Sequence, residues 1–393
     1  MIPLPGPRGS ASAAAGLPDL SFDPRATVRA GAVNAHTHLY SGLAPLGMPP
    51  PSRTPKDFVE VLQLVWWKLD RALDEATLRA SARLYLAEAL LAGCTTVIDH
   101  HESPNLIDGS LDLLAEEAKT LGARLLVTYG ATERNGGRDE AKAGLAECAR
   151  FIKSNRAGAR FPLVRGVVGL HASFTVGDET VREAGALAAD LGVPLHVHVA
   201  EDEADVVDAQ ARGYPGPFER LHLLGALPRG SLLAHGVWLN EDQVRTADAA
   251  GAWLLQNPRS NQNNRVGWPR ALSASGHVAI GTDGFPAAMD EEHAALATEA
   301  ARNGDPLSDA ALSARRGGGH RLAESLFGLR FDHQKAEGSA GDLVLGVPGE
   351  RPRHVLVGGR TVVLEGALVH ADLEQIRAHG REQAARLWGR MQG

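Results

Sequence analysis

Short apolar runs alternate along this chain with longer segments whose apolar residues recur at helical spacing. The runs finish at His36, in Thr95-Thr-Val-Ile-Asp-His100, in Arg124-Leu-Leu-Val-Thr-Tyr129, and in Val167-Val-Gly-Leu-His171. They continue with Pro194-Leu-His-Val-His198, Leu232-Leu-Ala-His235, Ala252-Trp-Leu-Leu-Gln-Asn257 and Val278-Ala-Ile-Gly-Thr-Asp283. Near-continuous apolar character is expected of parallel strands covered on both faces. Between the runs, residues 74–92, 110–122, 139–154, 178–191 and 241–250 read as amphipathic helices. Several close on a glycine stop: Gly93, Gly122, Gly192 and Gly251. Eight strand-then-helix units in about 250 residues predict an α/β fold, a (β/α)8 TIM-type barrel.

The pattern changes near residue 330. Residues 341–346, 354–357 and 360–364 read as short strands, the last two joined by a tight turn at Gly358-Gly359. A final helix is expected from about Leu373 to Met391. Residues 1–30 are rich in Gly, Ala, Pro and Ser, with one short strand near Thr27. The expected organisation is a barrel over 31–330 beside a small β-sandwich-like domain. That domain takes a short amino-terminal part from 1–30 and the rest, with the terminal helix, from 331–393.

Polar residues gather at one place in each unit. His36 and His38, His100 and His101, His171, His196 and His198, His235, Asn257 and Asp283 all sit at or just past a predicted strand end. In a (β/α)8 barrel those ends form the active-site face. Residues i and i+2 of a strand point the same way, so His36 and His38 leave one face together. His36, His38, His198 and Asp283 therefore make a set for one divalent metal with an open position. Zinc is the first choice, with iron or manganese as alternatives. His196 shares the facing of His198, and spacing alone allows either; the nearby Glu201 selects His198. Glu201, three residues on, is placed as a general acid–base, against the plainer reading of a solvated acidic helix start. His235 is a second candidate to orient water, against the plainer reading of a satisfied barrel-mouth histidine.

Composition narrows the setting. A net charge of −7 without a basic stripe argues against nucleic acid and anionic membranes. No apolar run reaches the length of a membrane span. The opening residues lack a secretory pattern, and the two cysteines, Cys94 and Cys148, form no paired motif, so a reducing cytoplasm is the expected compartment.

The stretches NAHTHLY, LHVHVAED, LLAHG and GTDG resemble the amidohydrolase superfamily, in its cyclic-amidine deaminase and chlorohydrolase branch. PKDFVEVLQLVWWKLDRAL, TTVIDHHESPN, GLHASFT and NPRSNQNN are similar to SsnA-type aminohydrolases. The resemblance runs from about residue 31 to the terminal helix. It implies that His36, His38, His198 and Asp283 are metal ligands, that Glu201 shuttles protons and that His235 orients water. It also implies that His171 contacts substrate. Arg134, Trp66 or Trp67, and His101 are further substrate candidates, a surface arginine and an amphipathic core helix being the plainer readings of Arg134 and the tryptophans. Two-metal members use a bridging lysine, commonly at the end of the fourth strand. No lysine occurs between Lys153 and Lys335, so one metal is expected. Relatives usually carry a longer β-rich segment before the HxH pair than the 35 residues here. A small domain with open edges, and hence a homodimer, is the corresponding expectation.

The expected activity is hydrolytic deamination of a nitrogen heterocycle such as a purine, pterin or triazine-like ring. Chlorohydrolysis or cyclic-amide hydrolysis by the same chemistry is the alternative. A non-catalytic binding protein on this scaffold is a third reading, opposed by the intact ligand set with Glu201 and His235.

Overall fold

The computed structural model describes residues 23–329 and 341–392. The expected domain boundary near 330 and most of the expected 1–30 segment lie outside the described residues. The strands are β1 (Thr27–Ala30), β2 (Ala32–Thr37), β3 (Cys94–Asp99), β4 (Arg124–Val127), β5 (Gly130–Ala131), β6 (Val164–Gly166), β7 (Val168–Ala172) and β8 (Leu195–Val199). They continue as β9 (Leu232–His235), β10 (Trp253–Gln256), β11 (Val278–Ile280), β12 (Leu343–Gly346), β13 (His354–Val357), β14 (Arg360–Leu364) and β15 (Ala367–Leu368).

The predicted apolar runs form two all-parallel sheets, ordered β2-β3-β4-β6 and β11-β10-β9-β8-β7-β5. Every residue of β3, β7 and β8 is buried, as strands with helices over one face and a filled interior must be. The sheets approach at two seams. At one, β4 runs on into β5 and β6 into β7, with Val167 N donating to Val127 O at 3.1 Å. At the other, Thr282 N and Asp283 N both donate to His36 O at 2.9 Å, and Thr37 bridges Asp283. That second seam brings the first and last polar strand ends together.

The helices fall close to their expected places: Glu75–Leu91, Ser110–Leu121, Arg138–Ser154, Asp178–Leu191 and Glu241–Ala249. The first opens with a capping box, in which Asp74 accepts from Thr77 N and Thr77 accepts from Asp74 N, each at 2.9 Å. Among the described residues no helix is long and apolar enough to cross a membrane.

The small β unit differs from the sandwich expected. The described residues show one antiparallel sheet ordered β1-β12-β13-β14-β15. Its Val344, Val355, Val357 and Val363 share a core with Leu78 and Leu90 of the helix Glu75–Leu91 and Leu111 of the helix Ser110–Leu121. The sheet buries one face on helices, so a second sheet is not needed to cover it. Arg124 of β4 donates to Asp342 at 2.7 and 3.0 Å, a buried pair fastening this unit to the parallel strands. The terminal helix Leu373–Gln392 packs back on Glu75–Leu91, and Trp388 Nε1 donates to Leu46 O at 3.2 Å.

Candidate active site

The ring nitrogens are assigned by their neighbours. His38 donates from Nδ1 to His100 O at 2.6 Å, and His198 from Nδ1 to His171 O at 2.5 Å. His235 donates from Nδ1 to Asn261 Oδ1 at 2.8 Å, and His36 Nδ1 pairs with His196 Nε2 at 3.0 Å. Tying down Nδ1 orients each ring and turns its Nε2 toward a common point. His36 Nε2 and His235 Nε2 are buried there without a hydrogen-bond partner. Asp283 completes the group, with Oδ1 2.9 Å from His38 Nε2 and 3.7 Å from His36 Nε2. Its Oδ2 accepts from the Ser260 hydroxyl. Ligand atoms of His36, His198, His235 and Asp283 all lie within 4.8 Å of one another. Orphaned imidazole nitrogens around a carboxylate are the donor set of a divalent cation, so the residues fit one.

Glu201 enters this group because the backbone turns at Ala200, whose φ is +51°. His235 and Asp283 share the same left-handed conformation, at +73° and +53°. Non-glycine residues rarely adopt it, and such strain collects at functional sites. Glu201 Oε2 lies 3.4 Å from His235 Nε2. Burial, reinforced by the neighbouring charge of Asp283, pushes the Glu201 carboxyl well above the usual range. Burial acts against ionisation of Asp283 too, but the His38 ring beside it prevails and holds it below that range. The two neighbouring carboxyls are thereby driven in opposite directions.

Of these groups, His38, His198, Glu201 and Asp283 line a cavity together with an apolar wall of Phe58, Leu62, Trp66, Trp67 and Phe174. All of the wall but Phe174 comes from the segment after β2, where Leu62–Trp66 is a π-helical turn leading into the helix Trp67–Ala72. Consecutive residues of an α-helix diverge by about 100°, and the wider π turn reduces that divergence, so that both tryptophans reach the cavity. Gly284 allows this packing, since a Cβ there would lie 2.9 Å from Trp66 Cη2.

A model of the amidohydrolase family matches residues 27–323. The chain belongs to the amidohydrolase family. It is 27% identical to a 5'-deoxyadenosine deaminase of Methanopyrus kandleri, over 94% of this chain and 88% of that protein. It is 28% identical to an 8-oxoguanine deaminase of Pseudomonas aeruginosa, over 92% and 88%. Among solved structures, an adenosine deaminase from Xanthomonas campestris with bound zinc superposes with a TM-score of 0.78, at 23% identity, covering 93% of this chain and 86% of that one. Atrazine chlorohydrolase from Arthrobacter aurescens, complexed with zinc, gives 0.72 at 21% identity, covering 91% and 88%. The structural likeness establishes a TIM-barrel-like α/β fold for this amidohydrolase.

The remaining sequence candidates divide. His171 lines the cavity, with Nδ1 3.0 Å from Thr175 Oγ1, and Trp66 and Trp67 line it as well. His101 and Arg134 do not. His101 Nε2 sits 2.8 Å from Ser103 Oγ with its ring against Tyr129, and Arg134 is buried against Asp70. Each has an internal partner, while His101 Nδ1 and Arg134 Nη1 are buried without a hydrogen bond. His196 lies beneath the floor as the support of His36, which is why it was indistinguishable from His198 by spacing. Ser260, Asn261 and Asn264 were not singled out by the sequence reading. They project from the helix Pro258–Asn264 toward Asp283, His235 and Glu201 respectively. Their i, i+1, i+4 spacing on a helix that follows a strand end was the available signal. Glu102 was also passed over. It accepts from His100 Nδ1 at 2.5 Å and lies 3.5 Å from His38 Nδ1, bracing both rings.

Proposed function

We propose that this amidohydrolase is a metal-dependent hydrolytic deaminase of a nitrogen heterocycle, with a purine, pterin or triazine-like ring as substrate. The observation that carries the reading is the convergence of His36, His198, His235 and Asp283, ligand atoms within 4.8 Å of one another, with Glu201 Oε2 3.4 Å from His235 Nε2, beside a cavity lined by tryptophans. The relatives named for 5'-deoxyadenosine and 8-oxoguanine support a purine-type ring. His36, His38, His198 and Asp283 would hold one divalent ion, zinc first and iron or manganese as alternatives. When bound, that ion supplies Lewis acidity and makes water nucleophilic near neutral pH. His235, locked by Asn261, orients the attacking water. Glu201 receives a proton from it and passes that proton to a ring nitrogen, so that the carbon bearing the amino group becomes electrophilic. Left as a carboxylate, Glu201 then takes the proton of the newly added hydroxyl and passes it to the amine, which departs as ammonia as the carbon–oxygen double bond forms. His171 contacts the ring, and the tryptophan wall stacks on it. We read the two parallel sheets as halves of one (β/α)8 barrel, supported by the hydrogen bonds at both seams.

The test is ammonia release across aminated purines, pterins and triazines, with metal measured on the same sample. Ammonia production and close to one metal per chain are expected. Chloride release without ammonia from a halogenated ring would favour the chlorohydrolase alternative, and two tight metals per active chain would sink the single-ion assignment. Gly284→Ala is expected to push the Trp66 indole from its seat and raise KM by about tenfold at unchanged metal content; steady-state kinetics on the best substrate checks it.

A further inference from the structure

Asp70 and Arg134 form an ion pair that no step above uses. Arg134 Nη2 donates to Asp70 Oδ2 at 2.8 Å, and Arg134 Nε donates to Thr132 Oγ1 at 3.1 Å. The two side chains are only 5% and 2% exposed. Desolvating such a pair is costly, and apolar residues of similar volume serve packing as well. What the charged pair adds is a planar cation. The guanidinium carbon lies 4.9 Å from the centre of the Trp67 ring. Trp67 lines the cavity and Arg134 does not, so the cation can reach the substrate space only through the indole it stacks on. The buried indole N–H has no hydrogen-bond partner, leaving Arg134 as the polar group that sets the tilt of the ring. On the cavity side Trp67 stands edge-to-face with His171, centroids 6.3 Å apart.

We propose that the Asp70–Arg134 pair is a positioning device for substrate recognition. Asp70 anchors Arg134, Arg134 holds the indole of Trp67 by cation–π stacking, and Trp67 with His171 forms the corner that receives a planar heterocycle. Arg134 therefore acts through Trp67 and does not touch substrate. The proposal rests on the heterocycle reading, since a flat wall matters for a flat ligand.

The test uses the full-length holoenzyme. Asp70→Asn/Arg134→Met removes both charges together, so that no buried charge is stranded. It is expected to raise KM about tenfold with kcat within about threefold of wild type. Trp67→Leu should raise KM at least as far, and the triple variant no further than Trp67→Leu alone. An unchanged KM in the folded pair variant, or a triple variant worse than Trp67→Leu, would overturn the proposal. Should the pair variant fail to fold, Arg134→Lys keeps the charge and loses the planar face; an unaltered KM there overturns the proposal equally. An activity-independent measurement separates the two readings. The near-ultraviolet circular dichroism of Trp67, taken as wild type minus Trp67→Leu, should change when the pair is removed. If no heterocycle is turned over, the functional reading falls while this signal still tests positioning; an unchanged signal removes the positioning role.

Discussion

Glu201→Gln is expected to lower turnover by about 10²- to 10⁴-fold while metal content stays near wild type. Glutamine keeps the size of the side chain and its reach toward His235 Nε2, 3.4 Å away, but carries no exchangeable acid proton. Burial and the charge of Asp283 push the carboxyl well above its usual range, which favours the acid form that a leaving amine needs. A solvated surface glutamate would leave turnover unaltered, because such substitutions typically shift stability by less than about 0.5 kcal/mol. The check is turnover of the best panel substrate with metal quantified in parallel. Near-normal activity would remove Glu201 from the chemistry and weaken the case for deamination, which needs a protonated leaving group.

Asp283→Ala should abolish metal binding and turnover together. Its carboxylate faces His38 Nε2 at 2.9 Å and His36 Nε2 at 3.7 Å, and the Ser260 hydroxyl donates to its other oxygen. Removing the anion leaves clustered imidazoles whose affinity for a divalent ion depends on it. Losing Lewis acidity worth several kcal/mol corresponds to about 10³-fold or more in rate. Elemental analysis and kinetics on one preparation decide the matter. A variant that kept full metal but lost activity would move Asp283 from ligand to a purely chemical role. Ser260→Ala, which removes one hydrogen bond to the carboxylate, should weaken metal affinity by about 10- to 100-fold with smaller loss of rate at saturating metal.

The positions of the strands, the polar ends they present and the glycine-terminated helices were readable from the chain alone. The reason is local: strand and helix periodicities, apolar runs and stop signals each act within a few residues. The HxH pair of β2 and the single Asp283 belong to the same class, since strand geometry dictates facing two residues apart. The choice between His196 and His198 was less local. Spacing makes them equivalent and the nearby Glu201 selects His198; in the fold His198 lines the cavity while His196 pairs with His36.

Tertiary structure decided what depends on neighbours from distant segments. Arg134 and His101 carry chemistry that suits a substrate contact, yet Asp70, 64 positions away from Arg134, and the Ser103–Tyr129 pocket around His101 withdraw them. Asn261 and Asn264 carry no role in the sequence patterns, and the fold sets them against His235 and Glu201. The small domain was expected to be sandwich-like, and its described residues form one sheet that packs on helices of the parallel unit. In each case the deciding quantity was burial against a particular partner. Periodicity along one segment says which side chains leave a face together, and it says nothing of what the folded chain brings to meet them.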